Sequence, residues 1–333
     1  MRRTCTLFAI LALATACGKA SDDSTTKEQM DARNDPRDVP GFGGAMTDLW
    51  AKFPDSGTSQ PVWTGDYYPY SAGGLAKRVG GQPSALEKFD QATNGQGLAQ
   101  HAELQLAQQL GGTSWAGHCN GLAAAGTMTS APQHSVARQG VTFSTTDIKA
   151  LLIAIWQDGG KIVGGRCNLK DIPVDATGRV TDATCRGVNP AAFHLALANF
   201  LGLEGKPLIN DIQAGEQVWN YPIVGYQVLR KTPLTAASAN QLLGRSGGIY
   251  AYDASATKFY WVQTRVTLAT GSVKTYEYLL EGNDAGEITG GEWVGATRED
   301  HPDFIWRHTV PSPSPEKHLD VAFIQALYQD SVR

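Results

Sequence analysis

Ser114-Trp115-Ala116-Gly117-His118-Cys119-Asn120-Gly121-Leu122-Ala123-Ala124-Ala125 sets one cysteine between two glycines, just where a small-residue helix should begin. A thiol at a helix start is well placed to act as a nucleophile. The free N–H groups and the positive end of the helix dipole favour thiolate over thiol, and they also accept a developing oxyanion. Gly117 and Gly121 let the backbone turn tightly and let a substrate approach. The competing reading is a buried cysteine packed as a small hydrophobe.

The other cysteines bear on that choice. Met1-Arg2-Arg3, the apolar run Leu7 to Ala16 and then Cys17 have the layout of a secretory signal, which is too short to span a membrane stably. Leu13-Ala14-Thr15-Ala16-Cys17 is similar to a bacterial lipobox, with Ala14 where leucine is commoner. Cys17 is then the lipid-modified first residue of the mature chain. The alternative is an ordinary signal peptide with Cys17 incidental. The same lipoprotein resemblance, with Gly18 rather than aspartate after Cys17, implies the outer membrane in a Gram-negative cell. The organisation expected is a signal peptide over 1–16, a flexible tether over 17–45 whose polar stretch is Ser21 to Arg37, and a catalytic body over 46–333.

Of five cysteines, Cys5 leaves with the signal and Cys17 carries lipid. Cys167 and Cys185 flank a turn-rich insert and are expected to bridge in an oxidising envelope. Cys119 is left as the odd thiol, which favours use over packing. A net charge of −4 with mixed signs offers no basic stripe for nucleic acid, and 42% hydrophobic residues are ample for a core.

Elements able to position the thiol follow from periodicity. A helix is predicted over Leu98 to Leu110, with Leu98, Ala102, Leu104, Leu106, Ala107 and Leu110 apolar and Gly111-Gly112 as its stop. A second runs through Ala116 to Thr127. Ser144 to Asp147 cap a third, Ile148 to Trp156. From Pro207 the pattern turns to strands: Pro207–Ile212, Pro222–Arg230, Ile249–Tyr252, Lys258–Ala269, Lys274–Leu280 and Ile288–Val294, with a hairpin at Thr270-Gly271-Ser272. Glu316 to Tyr328 closes the chain as an amphipathic helix. The fold class expected is α+β: a helical part, about 85–165, carries the cysteine and an antiparallel strand-rich part, about 190–310, follows. Papain-like thiol enzymes divide their labour in this way.

A thiol nucleophile needs an imidazole, and the imidazole needs an acceptor. Of seven histidines, His101, His134 and His318 read as solvated, and His118 is too close in sequence to face the sulfur, though it could line the site. His194, in the apolar run Phe193-His194-Leu195 that fits strand or helix alike, reads by itself as a satisfied core histidine, but pairs best with Asp211 at the end of Pro207-Leu208-Ile209-Asn210. His301 in His301-Pro302-Asp303 is the competing base, otherwise lining the site, and His308 trails both. No HExxH, CxxC pair or calcium loop is present, so neither metal nor cofactor is expected.

Several motifs together resemble the transglutaminase elicitor family: Trp63 to Pro69, Leu86 to Asp90, Trp115 to Gly121, Asn189 to His194, Asp211 with Val218-Trp219-Asn220-Tyr221-Pro222, and Gly290 to Trp293 with His301 to Trp306. The resemblance covers roughly residues 60 to 310. It implies a transglutaminase-like thiol acyltransferase that passes the acyl group of a protein-bound glutamine to a primary amine and releases ammonia. It also implies Cys119 as nucleophile, His194 and Asp211 completing a Cys–His–Asp set, and Trp115, Trp219 and Asn220 as site wall. A thiol hydrolase on the same scaffold, a peptidase or cell-wall amidase, and a non-enzymatic envelope lipoprotein are the alternatives. The expected enzyme is a monomer, lipid-anchored to the bacterial envelope.

Overall fold

A computed structural model describes residues 54–313 and 317–333 of the chain. The signal segment, Cys17 and the tether lie outside the described residues.

The structure is α+β, as expected. Strand β1 (Ser56–Thr58) is followed by helices α1 (Ala85–Thr93), α2 (Leu98–Leu110) and α3 (Cys119–Met128). A small hairpin, β2 (Val136–Arg138) and β3 (Val141–Phe143), leads to α4 (Thr145–Ile155) and β4 (Lys161–Gly164). Then come α5 (Pro190–Ala196), continued as a π-helix over Leu197–Leu203, and strands β5 (Leu208–Asp211) and β6 (Asn220–Leu234). Helix α6 (Ala236–Leu242), strands β7 (Lys258–Leu268), β8 (Val273–Gly282), β9 (Ile288–Trp293) and β10 (Phe304–Arg307), and helix α7 (Val321–Ser331) complete the described chain.

The strands form one antiparallel sheet in the order β4-β10-β5-β6-β7-β8-β9, with β1 also paired to β6. Gly271, at φ +85°, turns the β7–β8 hairpin and Leu268 N–H closes it on Ser272 O at 2.9 Å, as the sequence predicts. The run Ile249–Tyr252, expected as a strand, is irregular chain. The buried Tyr250 ring packs on Phe259 there and its hydroxyl donates to Glu281, so the segment is anchored by a side chain rather than a ladder. The ambiguous run around His194 is helical, started by Asn189, whose side chain accepts Ala191 N–H, and by Pro190 in the first turn. The last helix begins later than expected, because Asp320 caps it by accepting Phe323 N–H.

Two cores sit on opposite faces of the sheet, and the pleat decides which residue sees which. Ile209 pairs with Trp306, and Asp211 with Asn220. Ile209, Phe304 and Trp306 pack with α1, α3, α4 and α7. Leu208, Ile223 and Ile305, one step along their strands, point the other way and pack with α5. Residues alternate, so Asp211 and Asn220 share the face of Ile209, on the side of the helical layer.

Helix α3 packs against β5 and β6 and presses closely on α4. A Cβ at Gly121 would lie 2.4 Å from Ile153 O, and one at Gly117 would lie 2.9 Å from Pro69 Cα. Both glycines therefore serve close approach of chain segments; they do not open room for substrate as the sequence reading held. Ser144 and Asp147 form the capping box of α4, and Asp147 also takes an ion pair from Lys88 at 2.6 Å, which ties α1 to α4.

Candidate active site

Cys119 is the first residue of α3, and helical bonding in this segment starts with Leu122 N–H on His118 O. The N–H groups of the first turn thus precede the ladder and point toward the sulfur's side of the helix start. The side chain is half-buried and is the free thiol among the described residues. Cys167 and Cys185 form the expected disulfide.

Two groups, one at the start of β6 and one just before it, meet the sulfur. Sγ lies 3.7 Å from Val218 O and 3.6 Å from Asn220 Nδ2. The orientation of the Asn220 amide is set from behind: Trp306 Nε1, which can only donate, lies 2.7 Å from Asn220 Oδ1. The amide nitrogen is therefore turned to the thiol, in the position of a side-chain oxyanion donor beside a helix N-terminus. Trp219, half-buried, meets Tyr67 edge-on with centroids 6.0 Å apart, and Trp115 lies half-buried in the turn leading to α3.

Asp211 ends β5 directly opposite Asn220, on the same face. Its Oδ1 accepts Trp219 N–H at 2.9 Å, while its fully buried Oδ2 has no hydrogen-bond partner. Burial pushes its pKa up to about 6 against the pull of the Trp219 N–H and of Arg166. Asp303 lies next to it: its N–H donates to Asp211 O at 3.2 Å, and its Oδ2 accepts Cys167 N–H at 2.7 Å. Burial, and then the charge of Asp211, raise Asp303 to about 7, opposed by the Cys167 N–H. The disulfide-bearing segment thus seats one carboxyl beside the other.

The structure does not bring His194 to this site. Its ring lies on the other face of the sheet, in the core built around α5, with Nδ1 2.6 Å from the Tyr278 hydroxyl. Burial lowers its pKa to about 4, so it is a neutral core histidine. The assumption that the next strand would return Asp211 beside His194 fails because Asp211 faces away from α5. His301 is also elsewhere: it stacks on Trp293, takes the Thr297 and Arg298 carbonyls on Nδ1, and meets Cys185 O through Nε2 at 3.3 Å. It packs the disulfide loop and does not line the thiol. His308 is buried between Trp156 and Trp306.

Sequence reasoning missed Trp306 as the group that orients Asn220, and missed Glu103 and Gln157, which hold His118. Glu103 left a signal: it stands one helical step from both Ala99 and Ala107, and these three are the buried residues of α2. Leu98, Leu104 and Leu110 of the same helix are exposed.

The carboxyl pair makes a stability prediction. Asp211 and Asp303 have folded pKa values above the usual carboxylate range, so their contribution is fully present at low pH and lost as pH rises through about 7. His194, depressed to about 4, acts oppositely and costs stability as pH falls below about 6.5. Asp303→Asn removes the Asp303 share of the first effect and leaves that of His194 untouched. Its thermal unfolding midpoint is expected to fall less than that of the unsubstituted chain between about pH 5 and about pH 8; equal changes would contradict the assignment.

A family model described as transglutaminase elicitor matches residues 107–330. The chain belongs to the transglutaminase elicitor family. Its structure is also similar to the crystal structure of the GP42 transglutaminase from Phytophthora sojae, with a TM-score of 0.67 and 26% sequence identity over 86% of this chain and 93% of that one. A search of curated proteins gave no match. The matched region of the family spans Cys119, Asp211, Asn220 and Trp306, so the thiol and the strands facing it all lie within it.

Proposed function

We propose that this chain is a protein-glutamine γ-glutamyltransferase with Cys119 as nucleophile and Asp211 as proton carrier. The observation that carries the reading is the meeting of Cys119, at a helix start, with the fixed amide of Asn220 on the sheet face that also bears Asp211.

In the proposed sequence the Asp211 carboxylate takes the Cys119 proton, and the thiolate attacks the carboxamide carbon of a protein glutamine. The oxyanion is held by first-turn N–H groups of α3 and by Asn220 Nδ2. Collapse breaks the C–N bond, and Asp211 returns the proton to the departing nitrogen, which leaves as ammonia. A neutral primary amine then attacks the thioester; Asp211 receives its proton and the thiolate leaves. This gives Asp211, with its raised pKa, the role that the sequence assigned to His194. Trp219 and Trp115 serve as walls that favour an amine over water. Cys17 is proposed to anchor the enzyme to the envelope through lipid.

The test is incorporation of a fluorescent primary amine into a glutamine-rich protein by the purified chain. Labelling accompanied by equimolar ammonia supports the reading. Ammonia release with no labelling at saturating amine contradicts transfer and leaves hydrolysis.

A further inference from the structure

Behind the nucleophile lies a charged cluster that this chemistry does not use. His118, directly before Cys119 at the start of α3, has no exposed surface. Its Nε2 is 2.6 Å from Glu103 Oε1, and its Nδ1 is 2.7 Å from Gln157 Oε1. Glu103 comes from α2, and the same carboxylate oxygen accepts Leu75 N–H at 3.0 Å. Burial pushes Glu103 up, yet the hydrogen bond and charge of His118, with the Leu75 N–H, outweigh it and hold the carboxyl below its usual range.

Gln157 follows α4, and the orientation of its amide is fixed by its neighbours. The Lys317 ammonium, which can only donate, also bonds its Oε1, and its Nε2 donates to the Tyr70 hydroxyl at 3.2 Å. Both nitrogens of the His118 ring therefore face oxygen acceptors. A ring with a single N–H would turn a lone pair on one of those oxygens, so this pair of acceptors matches a ring that donates from both nitrogens. Gln157 O also accepts Asn120 Nδ2 at 2.8 Å, and His118 N–H donates to Tyr67 O at 2.7 Å. The residues on either side of Cys119 are thus tied to Glu103 of α2, to Gln157 just after α4 and to the segment at Tyr67.

We propose that His118 is a positioning residue for Cys119: Glu103 and Gln157 lock its imidazolium at the start of α3, which fixes the stand of the sulfur and places a positive charge beside it. The proposal rests on Cys119 being the nucleophile of the proposed transferase. A cation is the wrong sign for a helix start, and a buried one requires a partner, which is what Glu103 provides. What the cation offers in return is attraction for a thiolate on the next residue. Tyr70, edge-on to the ring with centroids 4.8 Å apart, closes the remaining side.

Glu103→Gln separates charge from shape, because glutamine keeps an oxygen for Leu75 N–H and for one ring N–H. The readouts are the rate at which iodoacetamide alkylates Cys119 in the full chain near neutral pH, followed by intact mass, and kcat and KM for amine incorporation. Alkylation is expected to slow about tenfold, the size of one pKa unit in a neighbouring charge effect, with kcat falling in step and the amine KM unchanged. Gln157→Met, at a half-buried position, removes the Nδ1 acceptor together with the side-chain bonds to Lys317 and Tyr70 but leaves Glu103 on Nε2, and is expected to slow alkylation about threefold by loosening the ring. A folded Glu103→Gln protein that alkylates as fast as the unsubstituted chain overturns the proposal. If that variant does not fold, unchanged alkylation in Gln157→Met overturns it instead. Slowed alkylation in a chain that incorporates no amine leaves the positioning role standing and removes the transferase reading.

Discussion

Cys119→Ala is expected to abolish amine incorporation, with a loss of more than about 10⁴-fold, because both steps of the transfer run through the sulfur. The fold should survive. The side chain is half-buried, and its polar contacts are the long ones to Val218 O and Asn220 at 3.7 and 3.6 Å. Truncation there should change unfolding free energy by less than about 1 kcal/mol. Circular dichroism and thermal unfolding alongside the labelling assay check both halves, and retained labelling in a folded Cys119→Ala chain would contradict the assignment of the nucleophile.

Asp211→Asn is the second large effect. Asparagine is isosteric and keeps an oxygen for the Trp219 N–H, which is 2.9 Å from Asp211 Oδ1, so the strand end should hold its shape. What it lacks is a group that takes and returns a proton, and kcat is expected to fall about 10²–10⁴-fold. The pH dependence has a defined sign. The carboxylate is the working form at the start of the cycle and its pKa is about 6, so activity should fall as pH drops through about 6. Substituting His194, bonded to Tyr278 in the other core, is expected to lower stability while activity per folded molecule stays within about twofold. Full activity in Asp211→Asn, together with its loss in His194→Gln, would return the base to His194.

Much of the scaffold was legible because local signals agreed with tertiary demands. The cap at Ser144, the glycine turn at Gly271 and the Cys167–Cys185 pairing each depend on residue types acting within a short stretch of chain. The thiol was legible for the same reason: its glycine setting, its place at a helix start and its exclusion from the disulfide can all be counted along the sequence. The relation of His194 to Asp211 was not, because it depends on which face of a sheet a residue takes. His194 and Asp211 read as neighbours along the chain, but the pleat sends Asp211 to the helical layer while α5 covers the other face.

Helix α2 shows a related failure. Its apolar spacing marked a helix, but the structure buries Ala99, Glu103 and Ala107 in it, because Glu103 must reach Leu75 N–H and His118. A carboxylate drawn inward by partners 15 and 28 positions away in sequence outweighs three exposed leucines, and periodicity of apolar residues cannot register it. The orientation of Asn220 by Trp306 spans 86 positions and is likewise a property of the assembled sheet.

The most direct measurement is the intact mass of the protein after brief mixing with a glutamine-containing peptide in the absence of amine, quenched in acid to preserve thioesters. The account predicts an adduct equal to the peptide less ammonia, located at Cys119, discharged by added primary amine and absent from Cys119→Ala. An adduct carried equally by Cys119→Ala, or an amide product formed by a chain whose Cys119 never acquires the peptide, would contradict it.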